Sequence, residues 1–273
     1  MAMVINTNTS AINAQRNLDR TQSDLSTSMA RLSSGMRITS AKDDAAGLAI
    51  SEKMKADIRG LAQAERNSND GISLVQTAEG AMDEVSGMLI RMRELAVQSA
   101  NGTTDSTQKG FLDTEYQALA DEIDRIADTT TFNGTHLLNG SSSITLQVGI
   151  GAGTDSQVTI AFSDIKTMTN SVTTGAITSA TTARTAIGNL DTAINALSGQ
   201  RGVFGAAQNR LESTVRNLAT TRENLSASNS RIRDVDVATE SVAMTRSQIL
   251  MQAGTAVLAQ ANQLPAMALS LIG

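Results

Sequence analysis

The chain has no cysteine and no tryptophan, a single proline (Pro265) and a single histidine (His136). Without cysteine there is no disulfide framework and no thiolate chemistry. One histidine excludes a multi-histidine metal site, and no Ser/His arrangement offers a nucleophile with its base. His136 follows the Asn133-Gly134 turn and reads as a turn or surface residue. With one proline, almost the whole chain is free to be helical. Aromatic residues make up only 2% of the composition. Large rings dominate most compact cores, so this core has to be assembled from small aliphatic groups.

Charge is also missing where it is normally found. The first charged residue is Arg16 and the last is Arg246, so residues 1–15 and 247–273 carry none. A membrane-spanning helix needs about 20 predominantly apolar residues. Amides interrupt both ends, at Asn6, Asn8, Asn13 and Gln15 and again at Gln248, Gln252, Gln260, Asn262 and Gln263. Neither end is therefore expected to insert into a membrane. Uncharged, polar, helix-periodic ends suit burial against other copies of the chain. The net charge of −5 argues against a nucleic-acid partner, which requires a basic face. The N-terminus lacks a basic region followed by an apolar one, so no Sec-type signal peptide is expected.

The remaining residues are strongly periodic. Leu190, Leu197, Phe204, Leu211, Leu218, Leu225 and Ile232 recur every seven residues. Sustained heptads predict a long helix in a coiled-coil-like bundle. Residues 184–232 as one helix span about 75 Å. Gly199, Gly202 and Gly205 interrupt it and read as close helix contacts or a soft point. Upstream, Val75, Met82, Leu89 and Ala96 form one column, and Ala78, Val85, Met92 and Ser99 the next. After a break at 101–104, Asp105 is a plausible N-cap. Leu112, Tyr116, Leu119, Ile123 and Ile126 then mark a second amphipathic helix. Leu18, Leu25 and Leu32 repeat at seven, and Ser40-Ala41-Lys42-Asp43 resembles a capping box restarting a helix after Ser33-Ser34-Gly35. Asp43 and Asp44 read as helix-start or salt contacts rather than a catalytic pair. The methionines read as core filler.

Between the halves the period falls to two. Ile144, Leu146, Val148 and Ile150, then Val158, Ile160 and Phe162, alternate with polar or small residues and predict a β-hairpin at about 140–165. Gly149-Ile150-Gly151-Ala152-Gly153 lacks the following helix and lysine of a phosphate cradle and reads as a strand connection. The Ser/Thr-rich stretch 164–183 is weakly patterned and is expected to be a short variable tip. The expected fold is mainly α: a long antiparallel helical coiled-coil bundle with a small β-hairpin region at the tip and the N- and C-termini paired at one end.

Two motifs identify a family. Arg31-Leu32-Ser33-Ser34-Gly35-Met36-Arg37-Ile38, running on through Ala41-Lys42-Asp43-Asp44-Ala45-Ala46-Gly47-Leu48-Ala49-Ile50, resembles the N-terminal signature of bacterial flagellins. Gln208-Asn209-Arg210-Leu211, Ser230-Arg231-Ile232-Arg233-Asp234-Val235-Asp236 and the run Gln252 to Gln263 resemble the C-terminal one. The likeness extends through both terminal thirds. It implies a non-enzymatic subunit of the flagellar filament, without cofactor or metal, in a short form lacking extra outer domains. It also implies inner-core helices at 1–44 and 229–273 and an outer-core bundle at 45–228. Export would run unfolded through the flagellar type III system, with an export chaperone, the export gate, and the filament cap and hook-junction proteins as partners.

The polymerisation candidates are Ile5, Ile12, Leu18, Leu25 and Leu32 at one end. At the other they are Ile249, Leu250, Val257, Leu258, Leu264, Leu269 and Leu271. Leu89 to Gln98 resembles the helix that the vertebrate host Toll-like receptor 5 recognises, with Arg91, Leu95, Gln98 and Glu115 as receptor-contact candidates. Ile90 stands where glutamine is common. A hook–filament junction protein shares similar ends and is the nearest alternative; a cytoplasmic coiled-coil adaptor is a more distant one.

Overall fold

Each helix of this protein starts where a short polar side chain satisfies backbone N–H groups that a helix leaves open. In the computed structural model, which describes residues 7–140 and 142–270, α1 spans Thr9–Ser34, α2 Ala45–Ala100 and α3 Ser106–Thr129. Further along, α4 spans Ile165–Thr173, α5 Ala180–Arg233 and α6 Val237–Ser270. Asn8 Oδ1 accepts from Ala11 N, and Asp105 and Gln108 form a reciprocal capping box. Asp164, Ser179 and Asp236 open α4, α5 and α6 in the same manner.

The start of α2 differs from the expected capping box. Asp44 Oδ1 accepts from Gly47 N at 2.8 Å and is the cap. Asp43 instead turns back to the N–H groups of Thr39 and Ser40, at 3.2 and 3.0 Å, and to both hydroxyls. The acidic pair therefore divides its work, one residue closing the turn and the next opening the helix.

Two compact units result, one of residues 1–56 with 224–273, the other of residues 57–223. Within the second, all eight residues of the two α2 columns are buried. So are Leu190, Leu197, Phe204, Leu211 and Leu218 on α5. The two helices run antiparallel, as their cross-links Arg93–Asp191 (2.7 Å), Arg201–Asp83 (3.0 Å) and Arg222–Glu65 (2.8 Å) record. Exposed ion pairs of this kind are worth about 0–1 kcal/mol, so they set register more than stability. Burial of each large apolar side chain contributes roughly 1.5–3 kcal/mol.

The hairpin pairs β3 (Ser142–Gln147) with β4 (Gln157–Phe162), Ile144 opposite Ile160. Val158, Ile160 and Phe162 are buried, and Phe162 meets the Phe204 ring at 5.2 Å between centroids. Asn67 of α2 donates to Gln147 O at 2.9 Å, and Gln200 of α5 donates to Ala161 O at 2.8 Å. Both strands are thus tied down. Ile150, expected on the apolar face, lies beyond the strand and is 52% exposed. A smaller hairpin joins β1 (Thr131–Phe132) to β2 (Thr135–His136), with His136 exposed.

The stretch 164–183 is built into the core rather than forming a variable tip. Ile165, Thr169, Val172 and Ile177 are buried. Tyr116 donates its hydroxyl to Val172 O at 3.1 Å, and burial pushes that phenol up to about 12. Gln117 donates to Gly175 O, Asp113 accepts from Ile177 N, and buried Ser99 donates to Ile177 O.

Glycines 199, 202 and 205 are not close helix contacts. A Cβ at any of them meets no atom within 4 Å. A tightly packed glycine on α2 is Gly71, where a Cβ would stand 2.2 Å from Leu146 Cδ1 and 3.3 Å from Leu211 Cδ1. It lets the hairpin lie close to α2. Thermal unfolding of the two variants should therefore move in opposite directions. Gly202→Ala is expected to stabilise the second unit by about 0.5–1 kcal/mol. Gly71→Val is expected to destabilise it by about 1–3 kcal/mol through overpacking.

Candidate interaction interface

The two signature segments, far apart in sequence, meet in the first unit. Gly35 ends α1 in the left-handed conformation (φ +70°), turning the chain as an αL cap does. Met36 then forms an antiparallel bridge with Asp234. Arg37 N donates to Arg233 O at 2.6 Å, and Val235 N donates to Gly35 O at 3.0 Å. The Arg37 guanidinium adds bonds to Ile232 O, Nη2 at 2.8 Å. Arg233 reaches Glu52, and Ile38 is 2% exposed. Arg37 thus binds a carbonyl rather than Asp43 or Asp44.

From that junction α1 and α6 run antiparallel. Arg31 lies 3.8 Å from Glu240, Gly254 makes room for Leu18, and Asn8 Nδ2 donates to Ala261 O at 2.7 Å. This seam sorts the expected polymerisation residues into two classes. Leu25 is buried, and Leu18, Leu32 and Leu258 are half-buried. Leu25 in particular is consumed within the subunit, where it holds helix to helix. Ile12, Ile249, Leu250 and Val257 are open, at 48, 60, 52 and 59% exposure. Ile5 and Leu271 lie outside the described residues, and the side chains of Leu264 and Leu269 do as well.

On α6 the open residues continue a stripe that sequence reading missed. Val237 and Val242 are also exposed, and Ser241, Val242, Thr245, Arg246, Ile249 and Leu250 line one shallow groove. The signal was present as the seven-residue step from Val242 to Ile249, but it straddles the last charged residue, Arg246.

The second unit presents a charged face. Arg91 bonds Glu115 (Nη2 at 2.8 Å) and Glu94 (3.0 Å), and those carboxylates, Glu115 foremost, hold its guanidinium above the usual range. Gln98 is exposed beside them, and Ile90, Arg93, Glu94, Val97 and Gln98 line a groove. Leu95 does not share this face. It is 1% exposed, because its helical position places it with Met92, Ala96 and Ser99 toward the core.

Among the described residues, no three His, Cys, Asp or Glu side chains converge as metal ligands, and no helix is long and apolar enough to cross a membrane. The polar chemistry present is that of capping and ion pairing.

Near the junction, two carboxylates that accept several hydrogen bonds have lowered pKa values, Asp43 in the turn before α2 and Asp236 at the start of α6. Hydrogen bonds from Thr39 and Ser40 hold the Asp43 carboxyl below its ordinary value, and those from Thr239 and Ala238 do so for Asp236. A carboxyl depressed in the folded state contributes stability above its unfolded pKa and loses it as pH falls through the folded value. Protection of the Ala238 and Thr239 amides, measured against their intrinsic exchange rates, should therefore fall on acidification below about pH 4. Asp236→Ala should show fast exchange at these amides already at neutral pH.

Comparison with known proteins gives a uniform result. The profile described as the bacterial flagellin N-terminal helical region matches residues 5–143, and that of the bacterial flagellin C-terminal helical region matches residues 187–272. A flagellin of Halalkalibacterium halodurans is 50% identical over 271 residues, covering 99% of this chain and all of the relative. An alignment of that length leaves no room for an inserted outer domain. The Bacillus subtilis flagellin is 44% identical over 303 residues, covering 99% of this chain and all of the relative. The crystal structure of Bacillus cereus flagellin aligns with a TM-score of 0.52 at 37% identity, over 56% of this chain and 88% of that one. A putative flagellar hook-associated protein from Vibrio parahaemolyticus shares the fold at 14% identity (TM-score 0.59, 70% of this chain, all of that one). The chain belongs to the bacterial flagellin family.

Proposed function

We infer that this chain is a structural subunit of the bacterial flagellar filament, with no enzymatic role, and that it polymerises through its two terminal helices. Residues 1–44 and 229–273 form the inner core of the filament in this reading, and residues 45–228 form its outer core. One observation carries the assignment of the faces. Val242, Ile249, Leu250 and Val257 stand open along one side of α6, while Leu25 and Ala261 are buried in the α1–α6 unit. Such a stripe gains roughly 1.5–3 kcal/mol per large side chain when another copy covers it. The absence of charge beyond Arg246 leaves the part of that contact at Ile249, Leu250 and Val257 without an ion-desolvation cost from its own helix.

Contacts repeated head to tail without closing generate an open helix, which matches a filament better than a ring. The junction-protein alternative has the fold of the hook-associated neighbour, but full-length identity of 50% to a flagellin favours the filament. Copy number per flagellum, counted by quantitative mass spectrometry, separates the two. Export through the flagellar type III system, with its chaperone and gate, and contact with the cap and hook-junction proteins follow from family membership. Recovery of the chain from culture supernatant distinguishes this from a cytoplasmic adaptor.

The exposed Arg91, Gln98 and Glu115 form a face suited to Toll-like receptor 5 of a vertebrate host. Leu95 supports that face from beneath. Arg91→Ala should lower receptor binding without unfolding the unit, since an exposed pair is worth about 0–1 kcal/mol to stability.

The assembly reading makes a sharp distinction between seam and stripe. Ile249→Lys or Val257→Lys should raise the critical concentration for polymerisation at least about tenfold, the equivalent of about 1.4 kcal/mol, with monomer unfolding unchanged. Leu25→Ala should destabilise the paired α1 and α6 by about 2–5 kcal/mol. Deleting residues 255–273 should abolish polymerisation while residues 57–223 stay folded. Filaments of normal length from that truncation would refute the inference.

A further inference from the structure

The Arg233 guanidinium is divided between two acceptors of unequal strength. Its Nη1 donates to the carboxylate of Glu52, and its Nε donates to the thioether of Met36 at 3.2 Å. A thioether is a weak acceptor. The sulfur nevertheless occupies a central position, because Met36 is the residue bridged to Asp234, and hydrogen bonds flank it from Arg37 N to Arg233 O and from Val235 N to Gly35 O. Met36 is half-buried, so solvent reaches the neighbourhood of its sulfur. The Arg233 side chain retains 17% of its exposure.

We propose that Met36 is an oxidation site at which an oxygen-donating two-electron oxidant, of the hydroperoxide class, loosens the pairing of Gly35–Arg37 with Arg233–Val235. The step is balanced. The Met36 sulfur attacks one peroxide oxygen, the S–O bond forms and the O–O bond breaks. With a proton transfer, the second oxygen leaves as water. Sulfur is oxidised by two electrons to the sulfoxide, and the peroxide is reduced.

The consequence follows from geometry. Oxidation converts an apolar side chain into a polar, chiral one, and it adds a strong acceptor beside a sulfur already in contact with Nε. The main chain of Met36 cannot retreat while both flanking amide bonds hold. Either Arg233 turns from Glu52 toward the new oxygen, or the bridge opens. The first outcome breaks the Arg233–Glu52 ion pair, and the second parts the two signature segments. Met29, 50% exposed on α1, supplies an internal control, since it takes no part in the bridge.

The experiment treats the purified full-length monomer with hydrogen peroxide, locates sulfoxide by peptide mass spectrometry and follows amide exchange at Arg37 and Val235. Exchange at both amides is expected to rise about tenfold in the oxidised chain. Treatment with methionine sulfoxide reductases should restore it. Met29→Leu should behave as the parent chain, and Met36→Leu should lose the response. The proposal is overturned if Met36 is converted without any change at Arg37 and Val235. It is equally overturned if Met36 stays reduced where Met29 is fully oxidised, or if oxidised Met36→Leu responds like the parent. These readouts are made on the monomer, so they stand or fall independently of filament assembly.

Discussion

The antiparallel packing of α2 against α5 is the constraint from which the second unit follows. With 2% aromatic residues, no single large side chain anchors the core. Stability has to be accumulated over many turns from alanine, valine, leucine and methionine. That requires two long helices in one register, because a slip along the heptads misplaces every layer at once. Ion pairs near both ends of the contact, Arg93–Asp191 and Arg222–Glu65, penalise such a slip. The same economy explains Gly71. A core of small groups closes only if the hairpin approaches α2 closely, and a side chain at that position would hold it off.

The first unit solves the opposite problem. Its helices α1 and α6 bury little beyond Leu25, Ser28 and Ala261 among the described residues, so the seam alone is thin. What holds the segments together is polar and main-chain: the bridge at Met36 and Asp234, Arg37 on Ile232 O, and Asn8 on Ala261 O. A pair of helices with a thin seam and an open aliphatic stripe is unfinished as an isolated body. In a flagellin this is expected of a part that completes its core from neighbouring copies. Thin burial within the subunit and apolar exposure outside it are two sides of one division of surface.

Much of this was legible in the sequence. The α2 columns and the α5 heptads from Leu190 to Leu218 predicted buried residues one by one, because a helix repeats its faces every 3.6 residues and burial follows that repeat; Leu225 and Ile232, later in the same column, are half-buried. Alternation in the same way located β3 and β4. The failures share a cause. Residues 164–183 looked undetermined because Ser and Thr dominate their composition. Yet Ile165, Thr169 and Val172 keep helical spacing, and polar contacts from α3 that no local pattern announces hold Val172, Gly175 and Ile177. Of the two readings offered for Gly199, Gly202 and Gly205, close contact fails, while Gly71, inconspicuous in sequence, is tightly packed. Leu95 was grouped with Arg91 by motif; it stands one turn along the helix, rotated toward the core, and is buried where Arg91 is exposed.

By itself the sequence determined the helical character of the chain, the stripes that face inward, the uncharged ends and the family. These properties are periodic or compositional, so each is written into a short window. Tertiary structure alone decided how those stripes are used. It made Leu25 internal to a subunit while leaving Ile249 and Val257 open. It also brought Gly35–Arg37 against Arg233–Val235, across nearly two hundred residues. Pairings of that kind depend on main-chain hydrogen bonds and on the turn that a left-handed Gly35 permits, and neither has a periodic signature in the amino-acid order.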